Sequence, residues 1–226
     1  MKKIYLLLSL VLVVTLVGCG TKKEEPKKNE AAIAFKNDYE GLNGKTNKNG
    51  QVHRTISISE DNPFVEVTPE EILKKYETGE TFYVYFGSPI CPWCRSVIES
   101  AIKIADERDI TKIYYVDVWD DEGNEILRSK YEVKDGKASK VKDGTKTYYK
   151  LLDYMKDYLR DFTLADGDKT IEVGEKRIYA PNFVYVKDGK TKKLITGKSE
   201  KQTDARGELT DEIKKEQEES FRSFFE

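Results

Sequence analysis

Histidine is nearly absent from this chain, methionine is rare and cysteine is scarce: one histidine (His53), two methionines and three cysteines among 226 residues. Each scarcity removes a class of chemistry. A structural zinc site takes about four Cys or His ligands, and the one close pair, Cys91 and Cys94, has only the distant His53 to add. Papain-like catalysis needs a histidine to activate its cysteine. His53 lies far from Cys91 and reads by default as a surface residue. Arg95, not histidine, follows Cys94, so the pair is not a c-type haem attachment. A copper(I) carrier would want a Met-rich setting, which is missing. Excess charge of one sign is missing as well: the net charge is -2, so nothing points to a nucleic-acid partner. Long apolar runs are confined to the N-terminus, so the rest of the chain reads as soluble.

That N-terminus sets the compartment. Lys2 and Lys3 precede an apolar run from Ile4 to Val17, broken by Ser9 and Thr15, which ends in Leu16-Val17-Gly18-Cys19. A charged start, a short apolar core and small residues before a cut have the form of an export signal. The run is shorter than the roughly 20 residues a spanning helix wants. Its ending resembles the bacterial lipobox. The resemblance implies a signal peptide over 1–18, diacylglycerol on Cys19, and a mature chain held by lipid on the extracytoplasmic side of a bacterial cell membrane. A plain signal peptide or an uncleaved anchor is the alternative. Outside the cytoplasm a disulfide persists. Residues 19–50 are expected to be the lipidated cysteine and a tether, since "TKKEEPKKNE" and "GLNGKTNKNG" bury too little apolar surface to offset ordering. The "AAIAFKNDYE" between them has room for a turn or two of helix. Residues 51–226 suffice for one domain.

Strand and helix signals alternate along that domain. "RTISIS" (54–59) has β-branched alternation and reads as a first strand. "TPEEILKKYETGE" predicts a helix with Thr68 as N-cap, Pro69 at its first position, Glu71 closing a capping box and Gly79 ending it. "TFYVYFGS" is apolar on both faces, as a central strand is. Val97, Ile98, Ala101, Ile102 and Ala105 recur at helical spacing after the cysteines. "KIYYVDVW" predicts the next strand, and strands joined this way imply an α/β sheet. Farther on, "RIYAPNFVYVKDGKTKKLITG" predicts a hairpin turning at Asp188-Gly189. The last segment predicts a helix capped by Thr210, with Ile213, Phe221, Phe224 and Phe225 on its buried side and Gln217 interrupting the stripe.

The order of these elements, with Cys91-Pro92-Trp93-Cys94 directly after strand 81–87 and Ala180-Pro181 directly before strand 182–186, resembles the thioredoxin superfamily. The resemblance covers about Thr81 to Gly197. Within it, "VYFGSPICPWCRSVIE" is most similar to lipoproteins and secreted proteins related to bacteriocin transport accessory proteins. It implies a thioredoxin-like fold, a central mixed sheet flanked by helices. It also implies that Pro181 is cis and faces the cysteines. The expected activity is thiol–disulfide exchange on protein thiols and disulfides, with no cofactor and with an unknown redox partner. Cys91 at a helix N-cap gains the first-turn N–H groups and the positive end of the helix dipole, which favour its thiolate. Cys94, inside the first turn, is expected to be less exposed and to resolve the mixed disulfide. Pro92 suits the first helical position. Trp93 reads either as a packed aromatic or as an apolar platform for a substrate chain, which with Pro92, Ala180 and Pro181 would hold the substrate. Arg95 reads either as a charge near the thiolate or as a solvated helix residue.

Two departures stand out. Where thioredoxins carry a buried acid six positions before the first cysteine, this chain has Tyr85, a poor base at neutral pH with an ordinary pKa of about 10. Asp117 either compensates or faces water at a strand end. Residues 120–176 form an insert between the third strand and the hairpin, expected to be helical, with "EVKDGKASKVKDG" as a polar hairpin or loop. Tyr148, Leu152, Met155, Leu159 and Phe162 form a stripe expected to pack as core. A binding module with a structural disulfide and a soft-metal carrier remain as other readings. A staple over four residues closes a very short loop and stabilises little.

Overall fold

A computed structural model describes residues 29–120 and 122–225. The expected signal peptide and Cys19 lie outside them. The elements in chain order are α1 (Glu30–Glu40), β1 (Phe64–Glu66), α2 (Pro69–Glu77), β2 (Phe82–Gly87), α3 (Pro92–Glu107), β3 (Ile113–Asp117), β4 (Lys130–Lys134), β5 (Lys137–Lys142), α4 (Lys146–Met155), β6 (Asp161–Asp166), β7 (Lys169–Lys176), β8 (Asn182–Lys187), β9 (Lys190–Ile195) and α5 (Asp211–Phe224). Five strands form one mixed sheet in the order β1-β3-β2-β8-β9. β1 and β2 run parallel to β3, while β8 is antiparallel to both β2 and β9. The chain is thus α/β with helices on both faces of a mixed sheet.

β2 is central because both of its faces are apolar. Tyr85, with Phe64, Tyr115, Phe183 and Tyr185, packs against α1, α3 and α5. Phe82, Val84 and Phe86, with Val116, Val184 and Val186, pack against α2 and α4. The α2 capping box is formed: Thr68 Oγ1 accepts from Glu71 N at 3.2 Å, and Glu71 Oε2 accepts from Thr68 N at 2.8 Å. The β8–β9 turn has Asp188 at φ 52° and Gly189 at φ 66°, the two positive values of a type I′ turn. In α5, Ile213, Phe221 and Phe224 are buried, and so is the interrupting Gln217. Its amide is matched there: Oε1 accepts from Ser100 at 2.9 Å and Nε2 donates to Gln202 at 3.2 Å.

Three expectations are corrected. Residues 30–40 are not tether. Ala32, Phe35 and Tyr39 sit at helical spacing and are buried, and the Phe35 ring stacks on Phe64 at 4.3 Å. Three apolar anchors in one helix outweigh the polar average of the segment. Residues 54–59 do not join the sheet; β1 begins at Phe64. Ile56 and Ile58 do point inward, but side chains satisfy their backbone. Asn43 bonds both the N–H (3.1 Å) and the carbonyl (2.8 Å) of Ile56, Glu40 accepts from Ile58 N at 2.7 Å, and Lys36 donates to Ile58 O at 2.6 Å. The insert is only partly helical. α4 stops at Met155, so Leu159 and Phe162 are buried outside the helix, with Phe162 in β6. Two antiparallel hairpins, β4–β5 and β6–β7, supply its strands; the segment 132–144, expected as a polar hairpin or loop, is the first of them.

Candidate active site

The turn from Ser88 to Cys91 connects β2 to α3 and is closed by Cys91 N donating to Ser88 O at 3.2 Å. It leaves Cys91 as the N-cap of α3, with Pro92 following at the helix start. Cys91 Sγ accepts from Cys94 N at 3.4 Å and lies 3.5 Å from the Ala180 carbonyl. The Ala180–Pro181 peptide bond is cis. The structure therefore brings Cys91, Pro92, Trp93, Cys94, Ala180 and Pro181 to one place. Trp93 and the Ala180–Pro181 pair both line a cleft of about 460 Å³ beside the cysteines.

The two sulfurs, both free, are in different environments. Cys91 is 5% exposed, less open than expected of an attacking thiol, and Cys94 is 0% exposed. The Cys94 thiol hydrogen-bonded to Cys91 lowers the Cys91 pKa. Burial works against this, the Cys94 and Trp93 N–H groups add to it, and the Arg128 guanidinium contributes a smaller share. Burial raises the Cys94 pKa well above the usual thiol range, and the Cys91 sulfur raises it further. The Tyr85 hydroxyl and the Ser88 backbone partly oppose the rise. Cys91 can thus hold a thiolate while Cys94 keeps its proton. Alkylation of Cys91 is expected to reach its plateau rate at a pH below that of an ordinary thiol, about 8.5. Below its own depressed pKa the rate should fall as the thiolate is protonated. A midpoint at or above that of a free cysteine, read by mass spectrometry across pH, would contradict this ordering.

Tyr85 occupies the position expected of a buried acid. Its hydroxyl hydrogen-bonds the Tyr39 hydroxyl at 2.9 Å and interacts with the Cys94 sulfur. Burial, with Cys94 nearby, pushes its own pKa far up, so it serves as a donor to sulfur and not as a base. Asp117 neither bonds Cys94 nor faces open water. It accepts from the Tyr115 hydroxyl at 2.9 Å and from Trp119 N at 3.0 Å, and burial raises its pKa.

Arg95 fits neither of its two readings. It is 1% exposed and acts as a clamp. Nη1 donates to Tyr39 O (2.7 Å) and Pro89 O (3.2 Å), Nη2 to Asn43 Oδ1 (2.6 Å), and Nε to Arg54 O (3.0 Å). It joins the end of α1 and the 43–54 segment to the loop that carries Cys91. His53 is buried, not a surface residue. Burial, then the Arg95 and Arg206 charges, lower its pKa and keep it neutral.

One cluster near the site left no sequence signal. Glu125 accepts from Arg128 Nε at 2.6 Å, from Arg177 Nη2 at 2.9 Å and from Trp119 Nε1 at 3.1 Å. Arg128 also donates to Ile178 O and Arg177 to Ser129 O. The cluster fastens the start of the insert to the segment between β7 and β8 that carries Ala180. The three bonds that tie Arg128 to Ile178, Arg177 to Ser129 and Arg177 to Glu125 join residues about fifty positions apart, which no local pattern records. Among the described residues, no group of three or more His, Cys, Asp or Glu side chains is placed to hold a metal. No described helix is long and apolar enough to cross a membrane. Compared with protein-family models and with curated proteins, the chain matches none.

Proposed function

We propose that the protein is a thiol–disulfide oxidoreductase of the thioredoxin superfamily, acting on protein thiols and disulfides from a lipid anchor on the outer side of a bacterial cell membrane. The observation that carries the reading is the asymmetry of the pair: Cys91 at the N-cap of α3 has a lowered pKa, and buried Cys94, bonded to it, has a raised one. The α/β sheet and the placement of Ala180–Pro181 beside Cys91 are consistent with that superfamily.

In the reductive direction, the Cys91 thiolate attacks one sulfur of a substrate disulfide. A Cys91–substrate S–S bond forms, the substrate S–S bond breaks, and the released thiolate takes a proton. Loss of the Cys91 negative charge on bond formation removes one of the effects that held the Cys94 proton. Cys94 then attacks Cys91 Sγ, its proton passing to the departing substrate sulfur, with its developing charge met by the Tyr85 hydroxyl and the Ser88 backbone. The second substrate thiol leaves, two electrons have passed to substrate, and a Cys91–Cys94 disulfide remains. Oxidation of a substrate dithiol is the same sequence reversed.

The test is direct transfer. Protein oxidised at Cys91–Cys94, mixed with a dithiol peptide, should be left as a dithiol while the peptide becomes a disulfide, both read by mass after alkylation. A pair that survives excess thiol unchanged is a structural staple and defeats the reading. The anchor has its own test. Cys19→Ser should abolish lipid labelling and leave the chain unprocessed or released from the membrane fraction. A mature wild-type chain with an unmodified N-terminus other than residue 19 would defeat the localisation.

A further inference from the structure

The cleft beside Cys91 carries charge that the exchange chemistry leaves unused. Its near wall is Trp93 with Ala180, Pro181 and Asn182; the rest comes from the link between α4 and β6 with Arg160, the start of β6, the residues just after β7, and the end of β9 with the segment that carries Lys198. Two of its charged groups are matched within the chain: Arg177 pairs with Glu125 at 2.9 Å and Asp161 with Lys176 at 2.9 Å. Arg160 and Lys198 have no carboxylate within ion-pair distance among the described residues. The Lys198 ammonium lies 4.2 Å from the centroid of the Trp93 ring. Burial lowers the Lys198 pKa, the Arg160 guanidinium lowers it further, and Cys91 acts in the opposite sense. Two neighbouring cations, one of them half-buried, are relieved by an anion between them.

A second observation points to a ligand by a different route. Asn182 is 3% exposed, lines the cleft, and has a buried Oδ1 without a hydrogen-bond partner. Buried amide oxygens are ordinarily satisfied. An acceptor of this kind beside an aromatic platform suits a backbone N–H of an extended chain. A small inorganic anion would answer the cations and leave Asn182 unanswered.

We infer that this cleft selects the substrate: it takes an extended polypeptide segment with an Asp or Glu within a few residues of the cysteine that Cys91 attacks. The carboxylate sits between Arg160 and Lys198, a backbone N–H meets Asn182 Oδ1, and the apolar part of the segment lies over Trp93. The inference rests on the oxidoreductase reading for the position of the substrate cysteine, but the binding it predicts needs no exchange.

The experiment uses two fluorescent peptides with serine in place of the cysteine, identical except that Glu flanks the serine in one and Lys in the other. Anisotropy with the full chain should show the Glu peptide bound about tenfold more tightly, as charge-assisted hydrogen bonds warrant. The gap should shrink as salt rises and close in the Arg160→Gln/Lys198→Gln double variant. Equal affinity for the two peptides, or a gap that survives the double variant, overturns the inference. So does a dependence on Arg160 and Lys198 seen with glutathione disulfide and with no peptide, since the cleft would then serve a small thiol. Repeating the comparison with cysteine peptides keeps the two readings apart. Exchange without acidic preference defeats only the cleft; acidic preference without exchange defeats only the oxidoreductase.

Discussion

A Cys94→Ser variant is expected to accumulate covalent adducts with its substrates, and a Cys91→Ser variant to form none. The expectation follows from where the sulfurs lie. Cys91 caps α3, accepts the Cys94 N–H and has a lowered pKa, so attack proceeds from it alone. Cys94 is fully buried with a raised pKa, so it acts only after Cys91 has become bonded to substrate and its charge is gone. With serine at 94, attack still occurs and resolution does not. Loss of the resolving sulfur should lower turnover of protein disulfides by several orders of magnitude while leaving a stable mixed disulfide on a non-reducing gel. In the wild-type dithiol, alkylation should mark Cys91 first. If Cys94 reacts first, or the Cys94→Ser variant traps nothing under conditions where the wild type exchanges, the roles assigned here are wrong.

Arg95→Met is expected to cost about 3 kcal/mol of stability, although no charge partner is lost. The guanidinium is buried and donates to three backbone carbonyls and the Asn43 side chain. Hydrogen bonds from a charged donor contribute roughly 1.5–3 kcal/mol each, and the acceptors left behind stay partly buried. Relief from keeping a charge out of water offsets part of that loss. In a domain whose total stability is about 5–15 kcal/mol, the remainder is large. Arg95→Lys should rescue little, because one ammonium cannot reach acceptors spread around a planar fork. Chemical denaturation measures both variants. A loss below about 1 kcal/mol for Arg95→Met would mean that the α1 and 43–54 segments are held by their apolar contacts alone.

The elements that the sequence made legible are those governed by neighbours in the chain. Thr68 and Glu71 cap α2 across three residues, Asp188-Gly189 supplies the two positive φ values of its turn, and β2, apolar on both faces, takes the central place. The CxxC at the start of α3 is local in the same sense. What stayed hidden depends on partners far away. The alternation at 54–59 is that of a strand, yet Glu40 and Asn43 reach its backbone before any strand does. Phe35 and Tyr39 are buried because Phe64, Tyr85 and Tyr115 receive them, which the polar composition around α1 obscures. Arg95 looks like any helix charge until the carbonyls of Tyr39, Arg54 and Pro89 converge on it. The Glu125–Arg128–Arg177 cluster and the Arg160–Lys198 pair of the cleft each join a residue of the insert to one outside it, Arg177 just past β7 and Lys198 past β9, and the insert's hairpins carry no strong periodicity.

The reduction potential of the Cys91–Cys94 pair bears most directly on the central claim. Equilibrated against glutathione redox buffers and quenched by alkylation, an exchange-active pair should give a value between about −270 and −120 mV, with rapid approach to equilibrium from both the oxidised and the reduced side. A potential below about −300 mV, with no exchange against thiols, is that of a structural disulfide and would contradict the account.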